Sequence, residues 1–196
     1  MTTLALLRHA PTEWNAARRL QGRADISLSA AGRTSLTARR LPAPLSEFRC
    51  LASPLRRTQE TAALLGLTPE IDPRLIEMDW GRYEGRRIDE LRREQGTTFV
   101  ENEARGLDFT PEGGESPRHV QVRVAPLLAE IARRREPTLA VTHRGVIRAV
   151  YAWAVGWDMT GDSPDRLDLY ATQVFTLADD GTPRVARLNV ALEERR

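Results

Sequence analysis

Five side chains in four separate segments of this chain have the chemistry that phosphoryl transfer needs. A neutral imidazole can attack phosphorus and carry the phosphoryl group as a covalent intermediate. Guanidinium groups bind phosphate oxygens two at a time, and a second, cationic imidazole can donate to a further oxygen. A carboxylic acid can protonate the leaving alkoxide and then deprotonate the attacking water. The side chains of these types that follow or interrupt extended segments are Arg8, His9, Arg57, Glu77 and His143.

His9 is the most informative of these residues because of its position. The apolar stretch 2–7 predicts a buried strand, which brings Arg8 and His9 to the carboxyl edge of a sheet, where open α/β folds place their chemistry. The dipeptide alone is weak evidence, because the chain has no lysine and all 29 basic residues are arginine. Arg118 and His119 repeat it in a polar, helix-like stretch, and we predict that they are a surface pair.

Length and composition indicate one globular domain of 196 residues with an ordinary core. The net charge of +2 comes from interleaved acids and bases, which disfavours a nucleic-acid partner. Cys50 is the only cysteine, so an internal disulfide and a multi-cysteine metal site are both excluded. No apolar run approaches the roughly 18 residues of a membrane span. The amino terminus lacks a signal-peptide pattern, so we expect a cytoplasmic protein with no membrane partner.

The pattern of apolar residues predicts strands that alternate with helices. The expected strands cover residues 2–8, 48–52 and 138–142, with a short extended piece over 71–75 and two later strands over 168–178 and 184–192. Asp179, Asp180 and Gly181 predict a hairpin turn between the last two strands. The expected helices cover residues 30–41, 54–65, 88–95, 116 onward and 146–155. This alternation favours an α/β fold, a three-layer α/β/α sandwich on a mostly parallel sheet.

Local signals refine these boundaries. Ser29 is a plausible N-cap, and Pro54 suits the first turn of a helix that Gly66 ends. Pro126 should kink or split the helix that follows residue 116. Residues 96–114 show little periodicity, and a loop of this length is usually functional or mobile. We therefore predict a single domain over residues 1–196 with a lid-like insertion at about 96–114.

These segments closely resemble the motifs of the histidine phosphatase superfamily, in its phosphoglycerate mutase-like branch. That family opens with Arg-His-Gly-x-Thr-x-x-Asn, which residues 8–15 match at all but one position. Its later motifs are matched, in order, by residues 22–29, 53–62, 77–85, 112–116 and 141–145. The resemblance spans about residues 3–155, and the ordered set of motifs makes it specific.

The resemblance implies a role for each matching residue. His9 would be the phosphorylated nucleophile, and Glu77 would be the proton donor and acceptor. Arg8, Arg57 and His143 would form the phosphate pocket. The further substrate contacts that we predict are Asn15, Gln21, Gly22 and Arg144. The resemblance implies neither a metal ion nor an organic cofactor.

The chain departs from the family pattern at two positions. Ala10 replaces the glycine after the nucleophile, and Arg144 replaces the glycine after the second histidine. Glycine tolerates positive φ and close backbone approach better than these residues do. We expect a tighter pocket near His9 and a more cationic one near His143. A guanidinium at position 144 would favour substrates that carry a second anion.

The implied function is metal-independent hydrolysis of a small phosphomonoester through a phosphohistidine. Phosphoglycerate mutase-type transfer is the first alternative, although mutases of this family are usually larger than 196 residues. The second alternative is a catalytically weak module that binds a phosphorylated ligand, against which the intact set of five side chains argues. The apolar, tryptophan-containing segment 151–157 favours burial in the core, with a homodimer interface as the alternative.

Overall fold

A central six-stranded sheet forms the middle layer of the computed structural model, which describes residues 1–195. The strands of the described residues are β1 (Thr2–Arg8), β2 (Arg39–Arg40), β3 (Arg49–Ala52), β4 (Glu70–Ile71), β5 (Thr138–Thr142), β6 (Thr172–Leu177), β7 (Pro183–Val190) and β8 (Glu193–Glu194). The sheet has the order β4-β3-β5-β1-β6-β7. The pairs β4-β3, β3-β5 and β5-β1 are parallel, and β6 and β7 add an antiparallel edge.

Helices cover both faces of this sheet. They are α1 (Glu13–Ala16), α2 (Ala30–Thr37), α3 (Arg56–Leu64), α4 (Ile88–Gln95), α5 (Thr97–Glu103), α6 (Pro117–Arg134) and α7 (Arg144–Val155). Short 3₁₀ turns lie at Leu45–Glu47, Pro73–Leu75, Gly81–Tyr83 and Gly106–Asp108. The predicted three-layer α/β/α sandwich on a mostly parallel sheet is confirmed.

The alternation of side chains along β1 divides the core into two clusters. Leu4 and Leu6 face a cluster that includes α6 and α7, whereas Ala5 and Leu7 face a cluster with residues of α2 and α3. A strand with apolar residues on both faces must be covered on both sides, which the two helical layers accomplish. The two covered strands β1 and β5 lie at the centre of the sheet. Because they pair in parallel, their carboxyl ends lie side by side.

Several predicted elements match the structure. The strands over residues 2–8 and 138–142 and the helix over 88–95 are confirmed at both ends, and Ser29 caps α2. The hairpin after β6 is also confirmed, because Gly181 N donates to Ala178 O at 2.9 Å. The segment over 151–157 lies mostly in the core, with Tyr151 and Trp157 buried.

Other predicted boundaries were wrong where long-range contacts decide the local structure. The helix expected to reach residue 41 ends at Thr37, because Arg39 and Arg40 pair with Glu193 and Glu194 in a separate two-stranded sheet. Pro54 precedes α3, whose N-cap is Leu55. The extended piece predicted over 71–75 is only partly a strand, since its second half is a 3₁₀ turn.

The loop predicted over 96–114 was also wrong, and so was the split predicted as one outcome of Pro126, whereas a kink at Pro126 stays a prediction. The segment 96–114 is not an unstructured loop, since it contains α5 and a 3₁₀ turn. Pro126 does not split α6, which is one helix of 18 residues. Pro126 and Val122 are both exposed, so the backbone carbonyl that the proline ring leaves unbonded, four residues earlier, lies on the solvent side of the helix.

The N-terminus of α2 packs against the loop that follows the first strand. Ser29 Oγ accepts from Gly32 N at 3.0 Å, and Ser29 N donates to Pro11 O at the same distance. A Cβ at Gly32 would overlap the Pro11 carbonyl oxygen, which leaves no room for a larger residue.

We expect Gly32→Ala to lower the free energy of unfolding by about 1–3 kcal/mol, because overlap with backbone atoms forces the helix to move. Urea denaturation measures the change. Thr34→Ala, at an exposed position of the same helix, is the control and should change stability by less than about 0.5 kcal/mol. Equal midpoints for the two variants would contradict the close approach.

Candidate active site

His9 is fixed in one tautomer at the carboxyl end of β1. Its side chain is buried, and its backbone N donates to Thr142 O at 3.0 Å. The ring Nδ1 lies 2.7 Å from the Ala10 carbonyl oxygen. A carbonyl oxygen only accepts, so Nδ1 carries the proton and Nε2 keeps its lone pair. Nε2 is therefore the nucleophilic atom of this imidazole.

His143 and Arg57 lie beside His9 and are fully buried. The ring centroids of the two histidines are 5.3 Å apart. Arg57 Nε donates to His143 Nδ1 at 3.3 Å, so the proton of a neutral His143 ring is on Nε2, which donates to Ser53 Oγ at 2.8 Å. The other nitrogens of Arg57 donate to the Ala24 and Gly22 carbonyl oxygens, each at 2.8 Å.

Burial and neighbouring guanidinium groups keep both imidazoles neutral. Burial, followed by the charges of Arg8 and Arg57, lowers the pKa of His9 well below 6.5. Burial and the charge of Arg57 likewise lower the pKa of His143. A neutral His9 suits a nucleophile. The cationic form of His143 beside a bound phosphate stays a prediction, since a second charge beside Arg57 is costly without an anion.

Glu77 is the buried carboxyl group of the site. One oxygen accepts from Met78 N at 2.8 Å and the other from Gly145 N at 3.2 Å. Burial raises its pKa above 4.5, although these two hydrogen bonds and the charges of Arg57 and Arg8 act in the opposite direction. The net direction favours the protonated form, which is the form that a general acid requires.

The segment before Glu77 is held by two long-range donors. Arg123 donates to the Arg74 and Ile76 carbonyl oxygens at 2.6 and 2.7 Å, and Thr142 Oγ1 donates to the Leu75 carbonyl oxygen at 2.8 Å. These contacts fix the position of the carboxyl group in an otherwise irregular stretch of chain.

A cavity of about 300 Å³ opens in front of His9. Its wall includes Arg8, His9, Glu77 and Arg144, together with Asn15 and Gln21. Leu20, Met78, Trp80, Ile88, Phe109 and Met159 give it an apolar side. The structure therefore brings most of the predicted site residues to one cavity, with Arg57 and His143 buried behind His9.

The two predicted amide contacts present nitrogen donors to this cavity. Asn15 Oδ1 accepts from Thr12 N at 3.0 Å, which fixes the orientation of the amide. Gln21 Oε1 accepts from the Thr12 hydroxyl at 2.9 Å, and its Nε2 is buried without a hydrogen-bond partner in the structure. Both arrangements leave the amide N–H groups for a ligand.

Gly22 is placed differently from the other predicted contacts. It does not line the cavity. Its carbonyl oxygen accepts from Arg57, and its N donates to Glu84 Oε1 at 3.2 Å. Glu84 also accepts from Ala24 N. The structure gives Gly22 contacts that position Arg57.

The two departures from the family pattern need no strained backbone, since neither Ala10 nor Arg144 is among the described residues with positive φ. Ala10 lies in the core cluster on the face of the sheet away from the cavity, and its N donates to Thr61 Oγ1 at 3.0 Å. Ala10 does not line this cavity, but it lines a second pocket together with Arg8 and His9, so the expected tightening beside His9 stays a prediction. Arg144 is exposed and lines the cavity, as predicted.

Sequence reasoning missed Ser53, Thr61, Arg123 and Arg148 as functional residues. Ser53 and Thr61 lie within the motif over residues 53–62, each four residues from Arg57 in the sequence. This spacing could have indicated that their hydroxyls belong to the site. Arg148 also lines the cavity, and its position one helical turn after Arg144 was visible in the sequence. Nothing local marks Arg123, which acts across 47 and 49 residues of chain.

Two general findings concern the described part of the chain. It contains no cluster of three or more His, Cys, Asp or Glu side chains that could hold a metal ion. None of its helices is long and apolar enough to cross a membrane.

Comparison with known proteins gives the family. The family model of the histidine phosphatase superfamily (branch 1) matches residues 4–191, and the chain belongs to this superfamily. Phosphoserine phosphatase 1 of Hydrogenobacter thermophilus is 32% identical over 171 residues, 82% of this chain and 79% of that protein. The probable phosphoglycerate mutase GpmB of an Enterobacter species is 36% identical over 155 residues, 73% of this chain and 70% of that protein.

Solved structures agree with this assignment. A mycobacterial glucosyl-3-phosphoglycerate phosphatase in complex with VO3 superposes with a TM-score of 0.78. It is 26% identical in sequence, and the match covers 97% of this chain and 100% of that one. The fold is thus that of phosphoglycerate mutase-like phosphatases.

The two arginines of the site should contribute differently to stability. Arg57→Met leaves two carbonyl oxygens without their donor, and we expect a loss of about 2–4 kcal/mol in the free energy of unfolding. Arg8 Nε is buried without a hydrogen-bond partner in the structure, and burial lowers the pKa of Arg8. Arg8→Met should therefore change stability by less than about 1 kcal/mol.

Urea denaturation in phosphate-free buffer compares the two variants. Each removes one positive charge from the same site, so each controls for the other. An equal loss of stability in both variants would show that the hydrogen bonds of Arg57 are not what distinguishes them.

Proposed function

We propose that this protein hydrolyses a small phosphomonoester through a phosphohistidine formed on His9. The observation that carries the proposal is the buried, neutral His9, whose Nε2 lone pair is free at a cavity that also contains Arg8 and Glu77. The cavity volume of about 300 Å³ supports a small substrate. The similarity to proteins named as phosphatases supports the same class of reaction.

In the first step, His9 Nε2 attacks phosphorus and the bond between phosphorus and the ester oxygen breaks. Glu77 gives its proton to the leaving alkoxide, so the alcohol departs neutral. Arg8 and the amide donors of Asn15 and Gln21 bind the phosphoryl oxygens. The reaction then depends on positioning and charge stabilisation, which guanidinium groups supply.

In the second step, water attacks the phosphoryl group on His9. The Glu77 carboxylate takes a proton from that water, the bond between phosphorus and Nε2 breaks, and inorganic phosphate leaves. His9 and Glu77 return to their starting protonation states. Both imidazoles are neutral before the substrate binds, and the dianion that enters makes protonation of His143 cheaper.

The segment 96–114 forms part of the cavity wall through Glu103, Gly106 and Phe109. We propose that this segment acts as a lid, which closes on the substrate and limits access of water. A cytoplasmic location and a homodimer remain predictions from the sequence.

A phosphoglycerate mutase activity is the second candidate, and the similarity to a probable phosphoglycerate mutase favours it. The two reactions share the phosphohistidine and differ in the acceptor, which is water in one and a substrate hydroxyl in the other. Incubation with 3-phosphoglycerate separates them, because a phosphatase releases inorganic phosphate and a mutase yields 2-phosphoglycerate.

We expect His9→Ala to abolish turnover, because no other side chain offers a free imidazole lone pair to the cavity. Rapid quench of the unaltered protein with a labelled phosphomonoester, in the presence of a chelator, should trap an acid-labile, base-stable phosphoenzyme. His119→Ala replaces an exposed histidine and is the matched control. Full activity in the His9 variant would refute the mechanism, and loss of activity on chelation would refute its metal independence.

We expect Glu77→Gln to slow an alkyl phosphate by about 100-fold or more, and para-nitrophenyl phosphate at least an order of magnitude less. A good leaving group needs little protonation, so loss of the acid matters less for it. Steady-state kinetics on the two substrates measures the difference. Equal slowing of both would mean that Glu77 is not the acid.

The same variant should alter the pH profile of kcat/KM. Activity rises with pH as His9 loses its proton, and that limb lies below pH 6.5 because the pKa of His9 is lowered. Activity falls as Glu77 loses its proton, and that limb lies above pH 4.5 because the pKa of Glu77 is raised. The kcat/KM profile of Glu77→Gln should lack the falling limb. Both proteins are measured on the same alkyl phosphate, so ionisation of the substrate affects the two profiles equally and does not explain a difference between them.

A further inference from the structure

Arg144 and Arg148 place two guanidinium groups on one side of the cavity. They are four residues apart in α7, so they lie one turn apart on the same face of the helix, with a rise of about 6 Å between them. Both line the cavity that contains His9 and Arg8. Arg144 directly follows His143, whose ring centroid is 5.3 Å from that of His9. The pair is therefore adjacent to the position of the reacting phosphate.

Neither guanidinium has an acidic partner. No ion pair of the described residues includes Arg144 or Arg148. The cavity has two carboxyl groups, and both are already engaged. Glu103 binds Arg92 with two hydrogen bonds of 2.8 Å, and Glu77 accepts from backbone N–H groups.

Arg148 is held in place by packing. Its guanidinium carbon lies 5.5 Å from the centroid of the Trp157 ring, and its side chain is only partly exposed. Burial and the charge of Arg144 lower the pKa of Arg148. The charge of Arg144 also acts on Arg8, whose pKa burial lowers first. Arg144 thus repels both Arg8 and Arg148 at one cavity, and this repulsion costs free energy unless an anion binds beside these groups.

The cationic groups exceed what one phosphate requires. The phosphate site already has Arg8, with Arg57 and His143 behind His9, and the amide donors of Asn15 and Gln21. Arg144 and Arg148 add two further charges at the side of the cavity from which α7 begins. A second anionic group on the substrate would meet them.

We propose that Arg144 and Arg148 form a second anion-binding subsite, so that the preferred substrate is a small phosphomonoester that also carries a carboxylate or a further anion. This inference rests on the proposed function, because it assigns the phosphate to the His9 site. The alternative is that Arg148 only packs against Trp157 and Arg144 only contacts solvent.

The test compares 3-phosphoglycerate with glycerol 3-phosphate as competitive inhibitors of para-nitrophenyl phosphate hydrolysis. The two compounds differ by a carboxylate in place of a hydroxymethyl group, and both compete whether or not they are turned over. We expect the unaltered protein to bind 3-phosphoglycerate more tightly. In Arg144→Gln and in Arg148→Gln, the ratio of the two inhibition constants should shift by about 10- to 100-fold against 3-phosphoglycerate.

Arg133→Gln is the matched control. It removes the same charge from an exposed position near the end of α6, beside Ala132, whose carbonyl oxygen accepts from Thr2 at 3.4 Å. That end of β1 is about 20 Å from His9, given the rise per residue of a strand. The control should leave the ratio of inhibition constants unchanged. Arg144 is exposed, so its variant tests the proposal even if Arg148→Gln loses its fold.

Each outcome decides one of the two proposals. Absence of para-nitrophenyl phosphate hydrolysis in the unaltered protein would overturn the proposed function. Hydrolysis with no preference for 3-phosphoglycerate, or with parallel changes of both inhibition constants in Arg144→Gln, would overturn the subsite and leave the proposed function standing.

Discussion

The chemistry proposed for this site depends on a buried imidazole, that of His9, which stays neutral among guanidinium groups. Removal from water and the charges of Arg8 and Arg57 both disfavour a proton on His9, and both lower its pKa. The same removal from water favours a proton on Glu77. Burial therefore favours a neutral imidazole and a protonated carboxyl group at once, which are the forms that the proposed nucleophile and the proposed acid require, while the fixed cations strengthen the first effect and oppose the second. Two groups with opposite shifts in pKa from a shared environment are the arrangement that acid and base chemistry near neutral pH requires.

The sheet makes this arrangement a consequence of register. Arg8 pairs with Thr142 in the parallel ladder of β1 and β5, so His9 and His143 must leave the sheet side by side. Ala52 pairs with Val141 in the neighbouring ladder, which brings Ser53 to the same edge. Three adjacent parallel strands thus bring together the proposed nucleophile, a second imidazole and the hydroxyl that this imidazole contacts.

The sequence predicted the parts of the site that strands position. His9 and His143 directly follow apolar runs, so the local pattern placed both at the sheet edge, and the other motifs of the chain made the prediction specific. Glu77 lies in irregular backbone, so its local signal was weaker and the resemblance gave it its role, because the groups that hold it are remote. Arg123 reaches the backbone before Glu77 from α6, and no local pattern encodes such a contact. The end of α2 was misplaced for the same reason, since the pairing of Arg39 with Glu194 involves residues far apart in the chain.

The composition of the chain made it difficult to predict which arginines belong to the site. In a chain whose 29 basic residues are all arginine, the residue type carries little information, and each guanidinium must be judged by its partners. Arg23 and Arg123 bind Glu115, and Arg92 binds Glu103, so their charges are balanced within the fold. Arg144 and Arg148 have no such partner among the described residues, although both face the cavity. A charge that the protein leaves unbalanced beside a binding site is available to a ligand, and for that reason the side of the cavity formed by α7 is where the specificity of this phosphatase should be sought.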